Sequence, residues 1–254
     1  IRLIKTNIIN AINIAKYSNP NLKKYFCVSS DKATNPFNMM GASKRIMEIF
    51  LMNEKFDFSV STARFANVAF SDGSLLYGFT ERIKKKQPLA APNDISRYFV
   101  SFKEAGQLCL FSCLLGKNRE IFFPILDEKK YLQKFSTIAK VFLKEIGFEP
   151  YICSTEEESR IECQNLIKSK KWPCWFFDSE TTGEKLTEEF YTPNNLIDLT
   201  KFKDIGIILD GFKASNFNYN EFLFRFENIL KTSLKKNDLV ELFKYFLPEF
   251  NHIE

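Results

Sequence analysis

Apolar positions recur at helical spacing over Ile4–Tyr17, where Ile4, Ile8, Ile12 and Ala15 fall near one face. Asn19-Pro20-Asn21 ends that pattern as a turn. Tyr25–Val28 is an apolar, β-like run, and the chain turns polar at Ser29-Ser30-Asp31-Lys32. Asn35-Pro36 imposes a bend, because proline fixes its own φ and pushes its predecessor out of the α region. A helix then starts near Asn38, a good capping residue, and reaches Asn53 with a broad apolar surface of Met40, Ile46, Met47, Ile49 and Phe50. Phe58–Ala66 reads as the next strand, and Leu75–Lys86 reads as a helix. Pro88 and Pro92 punctuate a loop that leads to Arg97-Tyr98-Phe99. Ser101 and Glu104 form a capping box for a helix over Phe102–Leu115, closed by Gly116. Ile121–Phe123 is a short strand.

Past Leu126 the character shifts. Phe135–Ile146 and Thr155–Lys168 have helical patterns, and Trp172–Phe177 is dense enough in apolar residues to be a buried strand. Phe202–Leu209 reads as another short strand, and Tyr219–Leu234 and Asn237–Phe246 as two closing helices. Strands alternating with helices predict an α/β fold. The shift near residue 126 predicts two parts, 1–126 and 127–254. In an open α/β sheet, ligands sit at the carboxyl ends of strands. The polar tip at Ser29–Lys32 is therefore a candidate site.

Composition removes several classes of function. No run approaches the ~20 apolar residues of a membrane span, and no signal peptide is visible. The net charge of +5 is mild, and Lys84-Lys85-Lys86 is most simply a solvated helix face, so no nucleic-acid partner is expected. The six cysteines, at positions 27, 109, 113, 153, 163 and 174, fit no zinc spacing, and the one histidine is His252. No metal site is expected, and unpaired thiols point to a reducing, cytoplasmic setting.

The stretch S-S-D-K-A-T-N-P-F-N-M-M-G-A-S-K over Ser29–Lys44 resembles the active-site segment of extended short-chain dehydrogenase/reductases. The nearest likeness is to the UDP-N-acetylglucosamine 4,6-dehydratases of bacterial polysaccharide synthesis. Arg64-Phe65-Ala66-Asn67-Val68 is similar to their R-F-G-N-V, and Asp94–Phe99 to their D-I-T-R-Y-F. Gly183–Glu189 is similar to their G-E-K-L-x-E-E, although Thr181-Thr182 stands where that motif usually has R-P. The likeness covers residues 1–126 well and the remainder in patches. It implies the C-terminal part of a Rossmann-like parallel sheet with flanking helices, plus a smaller α/β substrate-capping region.

The resemblance also implies roles. Such an enzyme oxidises a nucleotide-sugar at C4 with NAD or NADP, eliminates water across C5 and C6, and returns the hydride to C6. Lys32 is the implied base for the C5 proton, and Asp31 the acid for the departing C6 hydroxyl. Lys44 is implied to hold the nicotinamide ribose. It lies four residues after Met40, where the superfamily usually has the tyrosine of Y-x-x-x-K on the same helix face. A thioether has no proton to exchange, but one branch of these dehydratases keeps methionine there. Asn7, Ser29, Ser30 and Val68 are the other implied cofactor contacts. Asn67, Ser74, Arg97 and Glu184, with Lys32, are implied at the substrate, where an arginine fork suits a pyrophosphate. In the resembled enzymes the helices over Ile4–Tyr17 and Asn38–Asn53 lie side by side and expose an apolar patch that forms a four-helix dimer interface, so a homo-oligomer is implied.

Two other readings stay open: a nucleotide-sugar epimerase on the same fold, and a catalytically silent binding or scaffold protein. An intact Y-x-x-x-K would favour the epimerase. No G-x-G-x-x-G run occurs among the nine glycines, and the first residue is Ile1, inside a helical pattern. The chain is accordingly read as an N-terminally truncated piece of a longer enzyme. Without a glycine-rich turn to cradle a pyrophosphate, this 254-residue chain is expected to bind NAD and NADP more weakly than low-micromolar. Titration calorimetry with either cofactor checks this, and low-micromolar binding would refute it.

Overall fold

Lys24–Ser30 (β1) and Ser59–Phe65 (β2) pair in parallel, with Ser29 opposite Arg64 and Ser30 opposite Phe65. The computed structural model describes residues 1–179, 188–209, 217–232 and 235–252. β2 pairs in parallel with Glu120–Pro124. Two antiparallel strands, Ile205–Ile208 and Ile197–Asp198, complete this five-stranded sheet. β2 is buried on both faces, as expected of a central parallel strand. The first helix runs through Arg2–Ile4, a π-helical stretch at Lys5–Asn10, and Ala11–Lys16. The helix Met39–Asn53, called the site helix below, packs beside it and above β1 and β2.

This sheet lies in a unit built from Ile1–Phe65, Ala105–Ile125 and Thr182–Glu254. The other unit comprises Ala66–Glu104 and Leu126–Thr181. The segments interleave, whereas the sequence pattern alone gives one break at 126/127. The interleaving follows from the pairing: Glu120–Pro124 must return beside β2 to complete the parallel ladder.

The second unit holds two three-stranded sheets. Leu89–Pro92, Lys171–Phe177 and Glu149–Cys153 pair in parallel, and Ser96–Val100 lies between Asn67–Val68 and Leu132–Lys134. Its core gathers Phe79, Leu89, Ala91, Ala139, Leu143, Trp172 and Cys174. The stretch between Pro88 and Pro92 is therefore a strand rather than the expected loop. Leu89 and Ala91 alternate inward against the Trp172–Phe177 run, a pattern too short to read between two prolines. Ser101 and Glu104 do form the expected capping box, with Glu104 N–H donating to Ser101 Oγ and Ser101 N–H to Glu104 Oε2 at 2.7 Å. The six cysteines are all unpaired thiols.

The first helix and the site helix do lie side by side, and the first helix leaves Ile14 and Tyr17 exposed, but the site helix adds no exposed apolar patch. No residue of the site helix is exposed, and ten of its fifteen are buried. The C-terminal helices Tyr219–Thr232 and Lys236–Phe246 cover it. Phe50 meets Phe217 and Tyr219, and Phe222 is ringed by Phe217, Phe226, Phe243 and Phe246. Tyr219 Oη donates to Asn13 Oδ1 on the first helix at 3.0 Å. Among the described residues, no helix is long and apolar enough to cross a membrane.

Phe222 is fully buried at the centre of these rings. Phe222→Ala is expected to cost about 3–5 kcal/mol of stability, the usual range for a large aromatic removed from a core. Urea unfolding measures this. A loss below about 1 kcal/mol would show that the C-terminal helices contribute little to the first unit.

Candidate active site

The polar tip of β1 runs straight into a single 3-10 turn, Asp31–Ala33. Ser30 closes that turn from both sides. Its Oγ accepts from Lys32 N–H at 3.2 Å and donates to Asp31 Oδ1 at 2.8 Å. Lys32 Nζ lies 3.4 Å from the same carboxylate oxygen. Asp31 is buried, while the Lys32 side chain keeps about a third of its surface open. A cation and a carboxylate are thus held together at a strand tip, with only the cation reaching outward.

The site helix begins directly against this turn. Asn38 caps it, accepting from Gly41 N–H at 2.9 Å. A Cβ added to Gly41 would lie 2.2 Å from the Lys32 carbonyl oxygen. Only glycine lets the helix start so close to the turn, which explains the residue's place in M-M-G-A-S-K. The same contact brings the first two turns of the helix, with Met40 and Lys44, to the Asp31–Lys32 end of β1. Met40 stands on the first turn, half-buried. Lys44 Nζ donates to the Val28 carbonyl at 2.9 Å. Burial pulls the Lys44 ammonium below its ordinary value, and nearby Cys27 and Glu48 only partly oppose this.

Two implied cofactor contacts are engaged inside the unit. Asn7 donates to Ser43 Oγ at 2.9 Å, and Ser43 donates to the Met40 carbonyl. Asn7 therefore steadies the site helix rather than the strand tip. Ser29 faces the opposite side of β1 from Ser30, as strand alternation requires, and its Oγ donates to Glu48 Oε1 at 2.6 Å. Val68, Asn67, Ser74 and Arg97 belong to the second unit. Asn67 Nδ2 donates to the Tyr98 carbonyl, Ser74 caps the helix Leu75–Lys84, and Arg97 is buried with one guanidinium N–H on the Ser96 carbonyl. Glu184 lies outside the described residues.

Sequence reasoning missed the ion pair behind the tip. Arg64 of β2 binds Glu48 in a two-pronged fashion, Nε to Oε1 at 2.9 Å and Nη2 to Oε2 at 2.8 Å. Its Nη1 donates to Thr34 Oγ1 at 2.8 Å and to the Phe190 carbonyl at 2.6 Å. Both side chains are fully buried. Burial by itself raises the Glu48 carboxyl, but the guanidinium of Arg64, with Arg45 and the Ser29 hydroxyl, outweighs burial and holds it below its ordinary value. The signal available in the sequence was a charged residue inside the apolar run Ile46-Met47-Glu48-Ile49-Phe50.

A nicotinamide dinucleotide needs anchors at both of its ends. The Ser30 hydroxyl and the Lys44 ammonium, which carries three donors and gives one to Val28, suit the nicotinamide-ribose end. No glycine-rich run is present for the pyrophosphate end. Among the described residues no cluster of His, Cys, Asp and Glu could hold a metal.

The family described as polysaccharide biosynthesis protein matches residues 1–209. The chain belongs to this family. Family relatives include an uncharacterised membrane protein of Methanocaldococcus jannaschii, 29% identical over 244 residues, spanning 92% of this chain and 67% of the relative. The capsular polysaccharide biosynthesis protein CapD of Staphylococcus aureus is 31% identical over 198 residues. The probable polysaccharide biosynthesis protein EpsC of Bacillus subtilis is 31% identical over 197. These two alignments span 76% of this chain but 29% of each relative, so the chain accounts for under a third of either protein. Among solved structures, Pen from Bacillus thuringiensis superposes with a TM-score of 0.63 at 22% identity, covering 92% of this chain and 70% of that one. WbmG of Bordetella bronchiseptica, solved with NAD, gives 0.52 at 17% identity, covering 73% and 56%. The fold is therefore the Rossmann-like α/β arrangement of these solved structures.

The buried pair sets an acid limit on this family member. A carboxyl held low in the folded state contributes stability that is fully present above its ordinary value, near 4.5, and is lost as pH falls through the lower folded value. Unfolding of the wild type between pH 7 and pH 3 is expected to show this loss, and Glu48→Gln to lack that component. Arg64→Met, which leaves the carboxylate buried alone, is expected to cost about 3–5 kcal/mol at neutral pH, with Glu48→Met in the same chain restoring most of it. A fully additive double variant would mean that the two side chains do not act as a pair.

Proposed function

We propose that this chain carries the catalytic turn and the nicotinamide-ribose anchor of an NAD- or NADP-dependent nucleotide-sugar 4,6-dehydratase, acting on UDP-N-acetylglucosamine in polysaccharide biosynthesis. The observation that supports it most is the Asp31–Lys32 pair at the tip of β1, with the Met40–Lys44 turn drawn against it through Gly41. In this reading Lys32 removes the C5 proton of the 4-keto sugar, its outward-reaching ammonium giving up a proton to act. Asp31 protonates the departing C6 hydroxyl. Ser30 orients both by holding one oxygen of Asp31 and the backbone of Lys32. Lys44, fixed on the Val28 carbonyl, holds the nicotinamide ribose. Ser30 and Lys44 would hold NAD or NADP, which would supply reversible hydride acceptance, from C4 and on to C6. Asn67, Ser74, Arg97 and Glu184 contribute sugar and diphosphate contacts.

An epimerase is the second reading. UDP-glucose 4-epimerases of Rickettsia are 29–31% identical to this chain over 126 residues, 47% of its length. An intact Y-x-x-x-K would favour that reading, and Met40 stands in the tyrosine's place. The two readings differ at C5, where only the dehydratase exchanges a proton.

In the complete enzyme, Lys32→Ala is expected to lower kcat by the ~10²–10⁴-fold typical of losing a positioned acid or base. Met40→Leu, which keeps the bulk and removes only the sulfur, is expected to cost far less. Oxidation at C4 should outlast elimination in Lys32→Ala, and deuterium uptake from solvent at C5 reports the step directly. Normal turnover of Lys32→Ala, with deuterium still entering C5, would exclude Lys32 as the base.

A further inference from the structure

The chain reverses sharply between the Asp31–Ala33 turn and the site helix. Asn35 makes the reversal with φ at +46°, a left-handed backbone that asparagine tolerates better than most residues. Pro36 follows directly, and a proline favours extended backbone in its predecessor. Strain of this kind persists only where the surroundings hold it. Ala33, Thr34 and Pro36 are buried, and Asn35 between them is exposed. Its side chain accounts for that position: Asn35 Nδ2 donates to Glu189 Oε2 at 3.0 Å, between residues 154 positions apart. We propose that Asn35 and Glu189 form a clasp that sets the path from the Asp31–Ala33 turn into the site helix, and that Glu189 is thereby a positioning residue for Asp31 and Lys32.

Three observations support the assignment. A second link runs beside the clasp. Arg64 Nη1 donates to Thr34 Oγ1 at 2.8 Å and to the Phe190 carbonyl at 2.6 Å, so Thr34 and Asn35 are joined to the adjacent residues Phe190 and Glu189. The far side of the clasp is anchored. Phe190 is buried, and its ring stacks on Phe123 of the Glu120–Pro124 strand with centroids 6.3 Å apart, while Tyr191 meets the same ring. Asn35 is therefore tied to a point that the sheet holds. The near side is where Asp31 and Lys32 are placed. Thr34 N–H donates to the Asp31 carbonyl at 3.0 Å, and Gly41 abuts the Lys32 carbonyl, so slack at Asn35 passes to the turn from both directions. One exposed hydrogen bond adds little to the stability of a domain. This one holds a conformation that the backbone resists, so what it decides is position. That the turn acts in catalysis rests on the proposed function; the clasp itself does not.

Hydrogen exchange on this chain and kinetics on the complete enzyme test the two parts separately. Asn35→Asp keeps the shape and the tolerance of a positive φ but removes the donor and sets two carboxylates face to face. It is expected to raise exchange at the Lys32 and Thr34 amides, and Glu189→Ala to do the same. Glu189→Gln keeps an oxygen for Asn35 and is expected to leave exchange at the wild-type level. Asn35→Asp combined with Glu189→Gln reverses the direction of the bond and is expected to restore protection. Unchanged exchange in Asn35→Asp and Glu189→Ala would overturn the clasp, and so would a reversed pair as loose as Asn35→Asp alone. In the complete enzyme, Asn35→Asp and Glu189→Ala are expected to lower kcat by up to the ~10²-fold that a small misplacement costs, with KM little changed and the reversed pair recovering the loss. A merely structural role would lower the folded fraction and leave kcat per folded molecule intact, and intact kcat alongside raised exchange overturns the positioning role. If the complete wild-type enzyme has no dehydratase activity, the proposed function fails while the exchange measurements still decide the clasp.

Discussion

The buried bond between Glu48 and Arg64 holds the candidate site in shape. A carboxylate and a guanidinium taken out of water must satisfy each other and their remaining hydrogen-bonding capacity, or the burial is ruinous. Here that requirement recruits the site's surroundings one by one. Ser29 fills the carboxylate from β1, Thr34 meets the guanidinium from just past the Asp31–Ala33 turn, and the Phe190 carbonyl accepts a further N–H. Register makes this possible, since Ser29 and Arg64 are paired neighbours on adjacent strands and share a face below the helix. The pair fixes β1, β2, the turn and the site helix relative to one another, so Asp31 and Lys32 inherit their placement from residues behind the strand tip.

Much of this was legible in the chain. Asn38 announced its helix because a short polar side chain before an apolar run satisfies the free N–H groups of the first turn, and the structure places it there. The β1 tip followed from an apolar run ending in serines. Gly41 could be read as a motif residue, but its physical reason is a close approach of two backbones that only coordinates display. Glu48 was visible as a charge in an apolar helix, yet nothing local connects position 48 to position 64. Their meeting depends on how a helix lies across two strands. The 89–92 strand stayed hidden for a related reason, as three residues between prolines take their identity from the Trp172–Phe177 partner.

The C-terminal helices teach the same lesson at larger scale. Their amphipathic pattern was clear from sequence, but a pattern says that a face is buried and not against what. The site helix had equal claim to a sheet, a second copy or a later segment of its own chain. The structure gives one side of the site helix to the sheet and another, through the rings from Phe50 by way of Phe217 and Phe222 to Phe243, to the C-terminal helices. Residues far apart in sequence thereby become one structural block with the candidate site.

Trp172 packs in the core of the second unit, with its indole N–H on the Gln87 carbonyl, and Trp175 lies on the same strand, stacked on Phe177. They are the chain's two tryptophans. Indole emission is consequently a reporter carried by the second unit alone. The first unit holds no tryptophan of its own. Unfolding of the second unit can therefore be followed by tryptophan emission without any label.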